Sequence, residues 1–181
     1  MNDFLQEDLT QSKPVIELLT VANEYCLFFE DAEKFELNDI LIYFQRMAPL
    51  LYLKGSLLPA VETIDDAFAE RFVTEEQWED IFKTLRTKFG ADDRYFIHDH
   101  NYDTIEASLA DNLADIYQDM KDFVMSFQKG QIISRQNGLV QVKSLFSDHW
   151  GPIIINALAA VHRIMFKPEI DPALFEEDEW L

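Results

Sequence analysis

The sequence has 181 residues, 48% of them hydrophobic and 15 of them phenylalanine, which is enough for one domain with a full core. Its formal net charge of −19, from 34 acidic and 15 basic residues, repels phosphate backbones and anionic lipids, so direct nucleic-acid or membrane-surface binding is not expected. The single cysteine, Cys26, excludes an internal disulfide and a cysteine-based zinc site.

The N-terminal residues lack the basic and apolar regions of a signal peptide. No apolar run approaches the roughly 18 residues that span a bilayer. We therefore expect a cytoplasmic protein without a membrane segment. Its charge favours a cation or a basic partner surface.

The N-terminal part of the chain predicts a first helix. Residues 1–11 are polar and acidic without periodicity, and we expect them to fray. Beyond them, apolar side chains recur every three or four positions, which predicts a helix over 14–33. Ser12 is a suitable cap for this helix, and Pro14 fits its first turn.

A second segment with helical spacing predicts a helix over 39–58, with Asn38 as its cap. Pro49 falls inside this helix, where proline removes a backbone hydrogen bond and clashes with the preceding turn. We therefore expect either a kink or two helices that meet near residue 48. Residues 59–73 then form an acidic connector.

The segment after this connector carries the clearest local signal. Thr74 and Gln77 form a capping box and Gly90 supplies a stop, which together predict a helix over 75–89. Residues 91–104 have no periodicity and are predicted to be a long loop.

The stretch DNLADIYQDMKDF, residues 111–123, belongs to a helix predicted over 105–128. Four aspartates lie on one face of this helix and apolar residues on the opposite face. The four aspartates are Asp111, Asp115, Asp119 and Asp122. The simpler interpretation is a solvated acidic face, and the alternative is a metal-binding wall.

Residues 131–142 allow two predictions. The pair Asn137-Gly138 between apolar residues is typical of a tight β-hairpin. The residues that follow also keep helical spacing, with Asn137 as a cap, and no other strand is apparent for a hairpin to pair with. We favour the helix. A last helix is predicted over 152–166, with Pro168 as its stop.

Together these elements predict an all-α, single-domain bundle of six or seven helices within residues 1–181. The bundle is expected over 12–167, followed by an acidic C-terminal tail, 168–181. Bulky side chains among acidic residues are typical of a docking peptide, and the alternative is that they fold back onto the bundle. The candidate partner-binding residues of the tail are Phe175, Trp180 and Leu181.

The stretches LLTVANEYCLFFEDAE, APLLYLKGSLLP and DHWGPIIINALAAVHRI resemble the DUF5063 family. The resemblance covers most of residues 15–166, and its most specific residues are His149, Trp150, Gly151 and His162. It implies an all-helical fold of Bacteroidetes proteins and leaves the function open, because the family has no assigned activity. From the residues alone we expect Trp150 in the core and both histidines buried and satisfied by a carbonyl or carboxylate.

A carboxylate pattern supplies an alternative function. Glu76 and Glu79 lie in an E-E-x-x-E run, and Asp115 lies downstream of it. The pattern resembles that of the all-α nucleotide pyrophosphohydrolases, whose carboxylates hold Mg²⁺ that bridges substrate phosphates. Asn112 stands where those enzymes have a glutamate. The simpler interpretation is that the acidic residues complement a helix dipole and face water.

His98 and His100 lie in the predicted loop and are a second candidate metal site. Two histidines one residue apart chelate a metal only on an extended backbone, and a third ligand such as Asp103 is needed. Polar loop residues are the simpler interpretation.

We therefore predict a non-enzymatic cytoplasmic helical domain, without a cofactor, that acts through protein contacts with a basic or apolar partner surface. The alternative is a Mg²⁺-dependent, pyrophosphohydrolase-like enzyme. The enzyme requires Glu76, Glu79 and Asp115 to converge on one cleft. The interaction domain requires an exposed apolar patch or a docking tail.

Overall fold

A computed structural model describes residues 8–61, 70–98 and 101–167 of the chain. Within these ranges the backbone forms six α-helices and one two-stranded antiparallel sheet, as an all-α single-domain fold. The elements are α1 (Lys13–Glu30), α2 (Leu37–Ser56), α3 (Glu75–Phe89), β1 (Arg94–His98), β2 (Thr104–Ser108), α4 (Leu109–Gln128), α5 (Ile132–Asp148) and α6 (Trp150–Met165). None of the helices in these ranges has the length and apolar character to cross a membrane.

Helix α4 is the centre of the bundle, because α1, α3, α5 and α6 all pack against it. Helix α2 completes the bundle by packing against α1 and α6. The buried apolar residues of these helices belong to one core, in which the side chains of Tyr25, Phe44 and Trp150 are fully buried. The predicted helices over 75–89 and 152–166 are confirmed, and the helical alternative for 131–142 is correct.

The prediction of a solvated aspartate face on α4 is wrong. Asp119 is 3% exposed and Asp122 is 4% exposed, while Asp111 and Asp115 are partly buried. The reason lies in tertiary packing, because a central helix has neighbours on its polar side as well as on its apolar side.

The predicted loop over 91–104 is also wrong in part, as is the helix start at residue 105. Strands β1 and β2 form a hairpin in which Tyr95 pairs with Ala107 and Phe96 pairs with Glu106. The turn places Tyr102 at a φ of 65°, a backbone conformation that non-glycine residues adopt rarely. Helix α4 then begins after Ser108, whose hydroxyl accepts a 3.2 Å hydrogen bond from the N–H of Asp111.

Two predicted caps are wrong. Helix α2 begins after Glu36, which forms a capping box with Asp39, so Asn38 lies inside the first turn. Helix α5 begins at Ile132, so Asn137 lies well inside it. Gly138 is a packing position instead of a turn, because an added Cβ would overlap the side chain of Ser126 in α4.

The structure refines three further local predictions. Leu9–Gln11 form a 3₁₀ turn capped by the side chain of Asp8, so this part of 1–11 is ordered. Ser12 occupies the cap position of α1 without a capping hydrogen bond from its side chain. Helix α2 continues through Pro49 as one helix, so it does not divide into two near residue 48.

Candidate functional site

The buried side of α4 carries the first candidate site, which we call the aspartate seam. It comprises Asp115, Asp119 and Asp122 of α4 together with the residues that contact them from other elements. These residues are Arg71, Phe72 and Val73 before α3, Trp78 of α3, and His149 between α5 and α6.

The pair Asp119 and His149 lies at the centre of the seam. Nδ1 of His149 is 2.6 Å from Oδ2 of Asp119, and Nε2 of His149 is 3.8 Å from Oδ2 of Asp115. The hydrogen bond to Asp119 raises the pKa of His149 above its ordinary value, against the opposing effect of burial. The expectation that this histidine is satisfied by a carboxylate is therefore confirmed, although its side chain is half-buried instead of fully buried.

Asp122 ties the chain before α3 to α4. Its Oδ1 accepts hydrogen bonds from the backbone N–H groups of Phe72, at 2.7 Å, and Val73, at 3.0 Å. Burial nevertheless raises the pKa of Asp122, because it outweighs these two bonds and the charge of Arg71. The carboxylate thus acts as an acceptor for buried backbone donors, which is a structural role.

Arg71 supplies positive charge to the seam from a half-exposed position. Its Nη1 lies 3.9 Å from Oδ1 of Asp119 and 3.8 Å from Oδ2 of Asp122. Within the described ranges, neither oxygen accepts a hydrogen bond. The guanidinium therefore balances both carboxylates at ion-pair distance without holding either in a fixed geometry.

Asp115 faces α3, where the indole Nε1 of Trp78 donates a 3.0 Å hydrogen bond to its Oδ1. Burial raises the pKa of Asp115, and the charge of Asp111 adds to this effect. Trp78 also stacks on Phe82 with ring centroids 5.1 Å apart, which fixes the indole on that side of the helix. The hydrogen bond between Trp78 and Asp115 therefore joins α3 to α4 beside the seam.

The residues of the hydrolase alternative do not converge. Glu76 and Glu79 lie on the exposed side of α3, and Glu79 pairs with Lys83 of its own helix at 2.6 Å. Asp115 instead contacts Trp78 and lies near His149. Among the residues that the structure describes, no three histidine, cysteine or acidic side chains form a group that could hold a metal ion.

The histidine pair of the second candidate metal site is only partly described. His98 is exposed at the end of β1, where the backbone is extended, and its Nδ1 lies 3.3 Å from Oγ1 of Thr104. His100 and the tail residues Phe175, Trp180 and Leu181 lie outside the described residues.

The four residues that carry the resemblance have different roles. Trp150 is fully buried, as expected, and its Nε1 donates a 3.0 Å hydrogen bond to the carbonyl of Val142. Gly151 allows close approach of α5, because an added Cβ would overlap the carbonyl oxygen of Phe146. His162 is exposed, so the expectation that it is buried is wrong.

The second candidate site is an open apolar groove of about 1060 Å³ between α2 and α6, which we call the α2/α6 groove. Its lining residues are Gln45, Pro49, Tyr52, Leu53, Ser56, Ile154, Ile155, Leu158, Ala159, His162 and Arg163. Leu53 and Ile155 are each 51% exposed, on opposite walls. Phe166, beyond the groove, is also exposed, and its ring contacts that of His162 at a tilt of 40° with centroids 4.6 Å apart.

Pro49 contributes a polar feature to this apolar wall. Proline has no N–H, so the carbonyl of Gln45 receives no hydrogen bond from the residue four positions later. Both residues line the groove. The α2 side of the groove therefore contains a helical turn that lacks one backbone hydrogen bond.

The groove also differs in charge from the rest of the molecule. Residues 40–61 and 149–168 contain no aspartate or glutamate, although the chain has 34 acidic residues in total. They contain Arg46, Lys54, Arg163 and Lys167. Lys54 and Lys167 pair with acidic residues outside these two segments, and Arg163 is the cation on the groove wall. Arg46 lies on the neighbouring face of α2.

The exposed residues of this groove are not distinguished by the periodic pattern that predicts α2 and α6. Leu53 and Ile155 have the same apolar character as the core residues of their helices, so spacing alone assigns them to the core. One available signal is an apolar arc wider than a single buried stripe, since Leu50, Tyr52 and Leu53 accompany the buried Leu51.

The fold and sites define a helical-bundle protein with a buried histidine–aspartate seam and an open apolar groove. The chain belongs to the family described as "Domain of unknown function (DUF5063)", whose model matches residues 10–167. The crystal structure of protein BF1032 from Bacteroides fragilis, a structural-genomics target, is similar to it. The two are 34% identical with a TM-score of 0.81, over 90% of this chain and 99% of that chain. No curated protein matches the sequence.

Proposed function

We propose that this protein is a non-enzymatic cytoplasmic domain that binds an apolar segment of a partner protein in the α2/α6 groove. The observation that carries the proposal is the groove itself, whose walls expose Leu53 and Ile155 to solvent. Contiguous exposed apolar surface of this kind is typical of interaction sites. An exposed apolar patch is also what distinguishes the interaction domain from the hydrolase.

The chemistry of the groove defines the partner more closely than the net charge of −19 does. The overall charge favours a basic partner, but the groove lies between two chain segments that carry only basic charges. We therefore expect a segment with aliphatic or aromatic anchors flanked by acidic residues. Such a segment buries its anchors in the groove, and its acidic residues approach Arg163 on the groove wall.

Groove-shaped sites between two helices commonly bind a partner helix or an extended peptide through a few anchor side chains. Each large anchor that is fully buried contributes roughly 1.5–3 kcal/mol before the cost of ordering the peptide. Two or three anchors therefore give a reversible complex with modest affinity. The free cysteine, Cys26, is buried and takes no part in this surface.

A selection from a displayed peptide library on the immobilised full-length chain tests the proposal. Selected peptides are then synthesised and titrated against Leu53→Glu and against Leu27→Glu. The second variant is a matched control, because Leu27 of α1 is also 51% exposed and does not line the groove. We expect Leu53→Glu to weaken binding at least tenfold and Leu27→Glu to leave it unchanged. Equal effects of both variants would contradict the proposal.

A further inference from the structure

We propose that residues 168–181 of the same molecule dock in the α2/α6 groove and compete there with partner proteins. The inference rests on the proposed function, since it names a regulator of the same groove. In the absence of a partner, the groove is then occupied by the chain's own C-terminal segment. A partner protein must displace this segment in order to bind.

The described chain ends within reach of the groove. Helix α6 supplies one wall of the groove through Ile155, Leu158 and His162, and the described chain continues only to Lys167. Leu158 lies about 13 Å back along the helix from Lys167. Residues 168–175 span up to about 26 Å when extended. Phe175 can therefore return to the middle of the groove after the chain reverses direction.

The composition of residues 168–181, PEIDPALFEEDEWL, matches the partner chemistry proposed for the groove. The segment has six acidic residues and no basic residue. Leu174 and Phe175 form one pair of bulky anchors, and four acidic residues separate this pair from Trp180. Aromatic side chains bury a large area with few rotatable bonds, so they suit an open apolar groove such as this one.

Charge favours this face of the bundle over the exposed faces of α1 and α3 for an acidic segment. Helix α1 exposes Glu24 and Glu30, and α3 exposes Glu75, Glu76 and Glu79. The two groove helices have no acidic residue near the groove and carry Arg163 on the wall. Like charges repel the segment from α1 and α3, whereas opposite charges attract it to the groove.

Covalent linkage favours docking within one molecule over docking onto a second copy. A short linker gives the tethered segment a millimolar effective concentration at a site within its reach. A second copy at micromolar concentration competes poorly with that value. The segment that follows α6 is therefore assigned to the groove of its own chain.

Disulfide trapping in the full-length chain tests this assignment. The pair Ala159→Cys and Ala173→Cys places one thiol on the groove wall and one in the segment. The matched control pairs Thr20→Cys, on the exposed side of α1, with the same Ala173→Cys. Cys26 is 1% exposed and burial raises its pKa, so it does not compete in the exchange.

We expect the groove pair to form an intramolecular disulfide at least tenfold faster than the control pair. Equal rates would show that the segment has no preference for the groove and would overturn the inference. A disulfide-linked dimer in place of the intramolecular product would assign the segment to a second copy, which also overturns it.

A peptide titration separates this inference from the proposed function. A fluorescent peptide of residues 168–181 is titrated into the full-length chain and into the chain with Phe175→Ser and Trp180→Ser. We expect the substituted chain to bind the peptide at least tenfold more tightly, and Leu53→Glu to abolish this binding. Equal affinities would overturn the inference. The proposed function would still stand if library-selected peptides continued to require Leu53.

Discussion

Gly55 of α2 lies against the indole ring of Trp150 at the start of α6. A Cβ added at Gly55 would overlap this ring and would lie 2.7 Å from a ring carbon of Phe146. The residue at position 55 therefore sets how closely α2 approaches the corner between α5 and α6. The close packing of α2 against the start of α6 also sets the distance between the two walls of the groove.

We expect Gly55→Ala to destabilise the protein by about 1–3 kcal/mol, because overpacking a dense core forces side chains or backbone to shift. The intrinsic helix propensity of alanine opposes this effect by up to about 1 kcal/mol. Urea denaturation measures the difference. Ser56→Ala, at the exposed neighbouring position, is the control and should change stability by less than about 0.5 kcal/mol. Equal stability of Gly55→Ala and Ser56→Ala would contradict the predicted overlap between a Cβ at position 55 and the ring of Trp150.

A second prediction concerns the pH dependence that His149 confers on stability. The folded-state pKa of His149 is raised above its ordinary value of about 6.5, chiefly by its hydrogen bond to Asp119. A raised pKa means that the folded state binds the proton more tightly than the unfolded state. The resulting stabilisation is complete below about pH 6.5 and is lost as the pH rises through the folded-state pKa.

We therefore expect the free energy of unfolding to fall as the pH rises from about 6.5 through the folded-state pKa, and His149→Gln to flatten this decrease. Glutamine retains an N–H group that can reach Asp119 but does not titrate. His162→Gln is the matched control, because His162 is exposed and lies outside the seam. If the free energy of unfolding of His149→Gln falls with pH as steeply as that of the unsubstituted protein, another group causes the pH dependence.

The sequence predicts the long helices well because their signals are local. The helix over 75–89 has its capping box, its apolar stripe and its terminal glycine within one continuous segment, and α3 has the same bounds. The fold class follows from several such segments together. No long-range information is needed for either conclusion.

The hairpin and the seam depend on interactions that the local pattern does not contain. Strands β1 and β2 have only five residues each, too few for a clear alternating pattern, and Tyr102 adopts its turn conformation without glycine. Asp119 meets His149 across 30 residues of chain. Its burial is therefore a property of the packed bundle, although its spacing on α4 is readable from the sequence.

A third prediction concerns Asp122 as the acceptor for the chain before α3. Asp122→Ala leaves the N–H groups of Phe72 and Val73 without their acceptor, and one unsatisfied buried donor costs about 1–3 kcal/mol. Asp122→Asn keeps an acceptor oxygen and removes a carboxylate whose pKa is raised by burial. We therefore expect thermal unfolding to rank asparagine above alanine in stability. Equal destabilisation by the two variants would show that the charge, and not the acceptor, holds this segment.

A fourth prediction addresses the metal-dependent alternative through Glu76, Glu79 and Asp115, and through His98 and His100. If these residues bind no metal, millimolar Mn²⁺ or Mg²⁺ should shift the melting temperature no more than charge screening does. A specific site would stabilise the fold by about 2.7 kcal/mol at a hundredfold excess over its dissociation constant. A saturable shift that Asp115→Asn abolishes would support the hydrolase. One that His98→Ala abolishes would support the histidine site.

The last prediction concerns truncation after Lys167. The family match ends at residue 167, and the core residues of the described structure all precede it, so we expect the shortened chain to fold. Burial of an aromatic side chain contributes roughly 1.5–3 kcal/mol and is opposed by the entropy of ordering the segment. Truncation should therefore cost at most a few kcal/mol in urea denaturation.

The same truncation should expose the groove if residues 168–181 occupy it. We expect a dye that reports exposed apolar surface to bind the truncated chain more strongly, with Leu53→Glu reversing the increase. Far-UV circular dichroism of the truncated chain should remain mainly helical, which separates an open groove from partial unfolding. If the truncated chain is unfolded, the segment is part of the core. If the truncated chain folds and its dye binding is unchanged, the segment does not occupy the groove. An apolar surface that loses its occupant must become accessible to the dye.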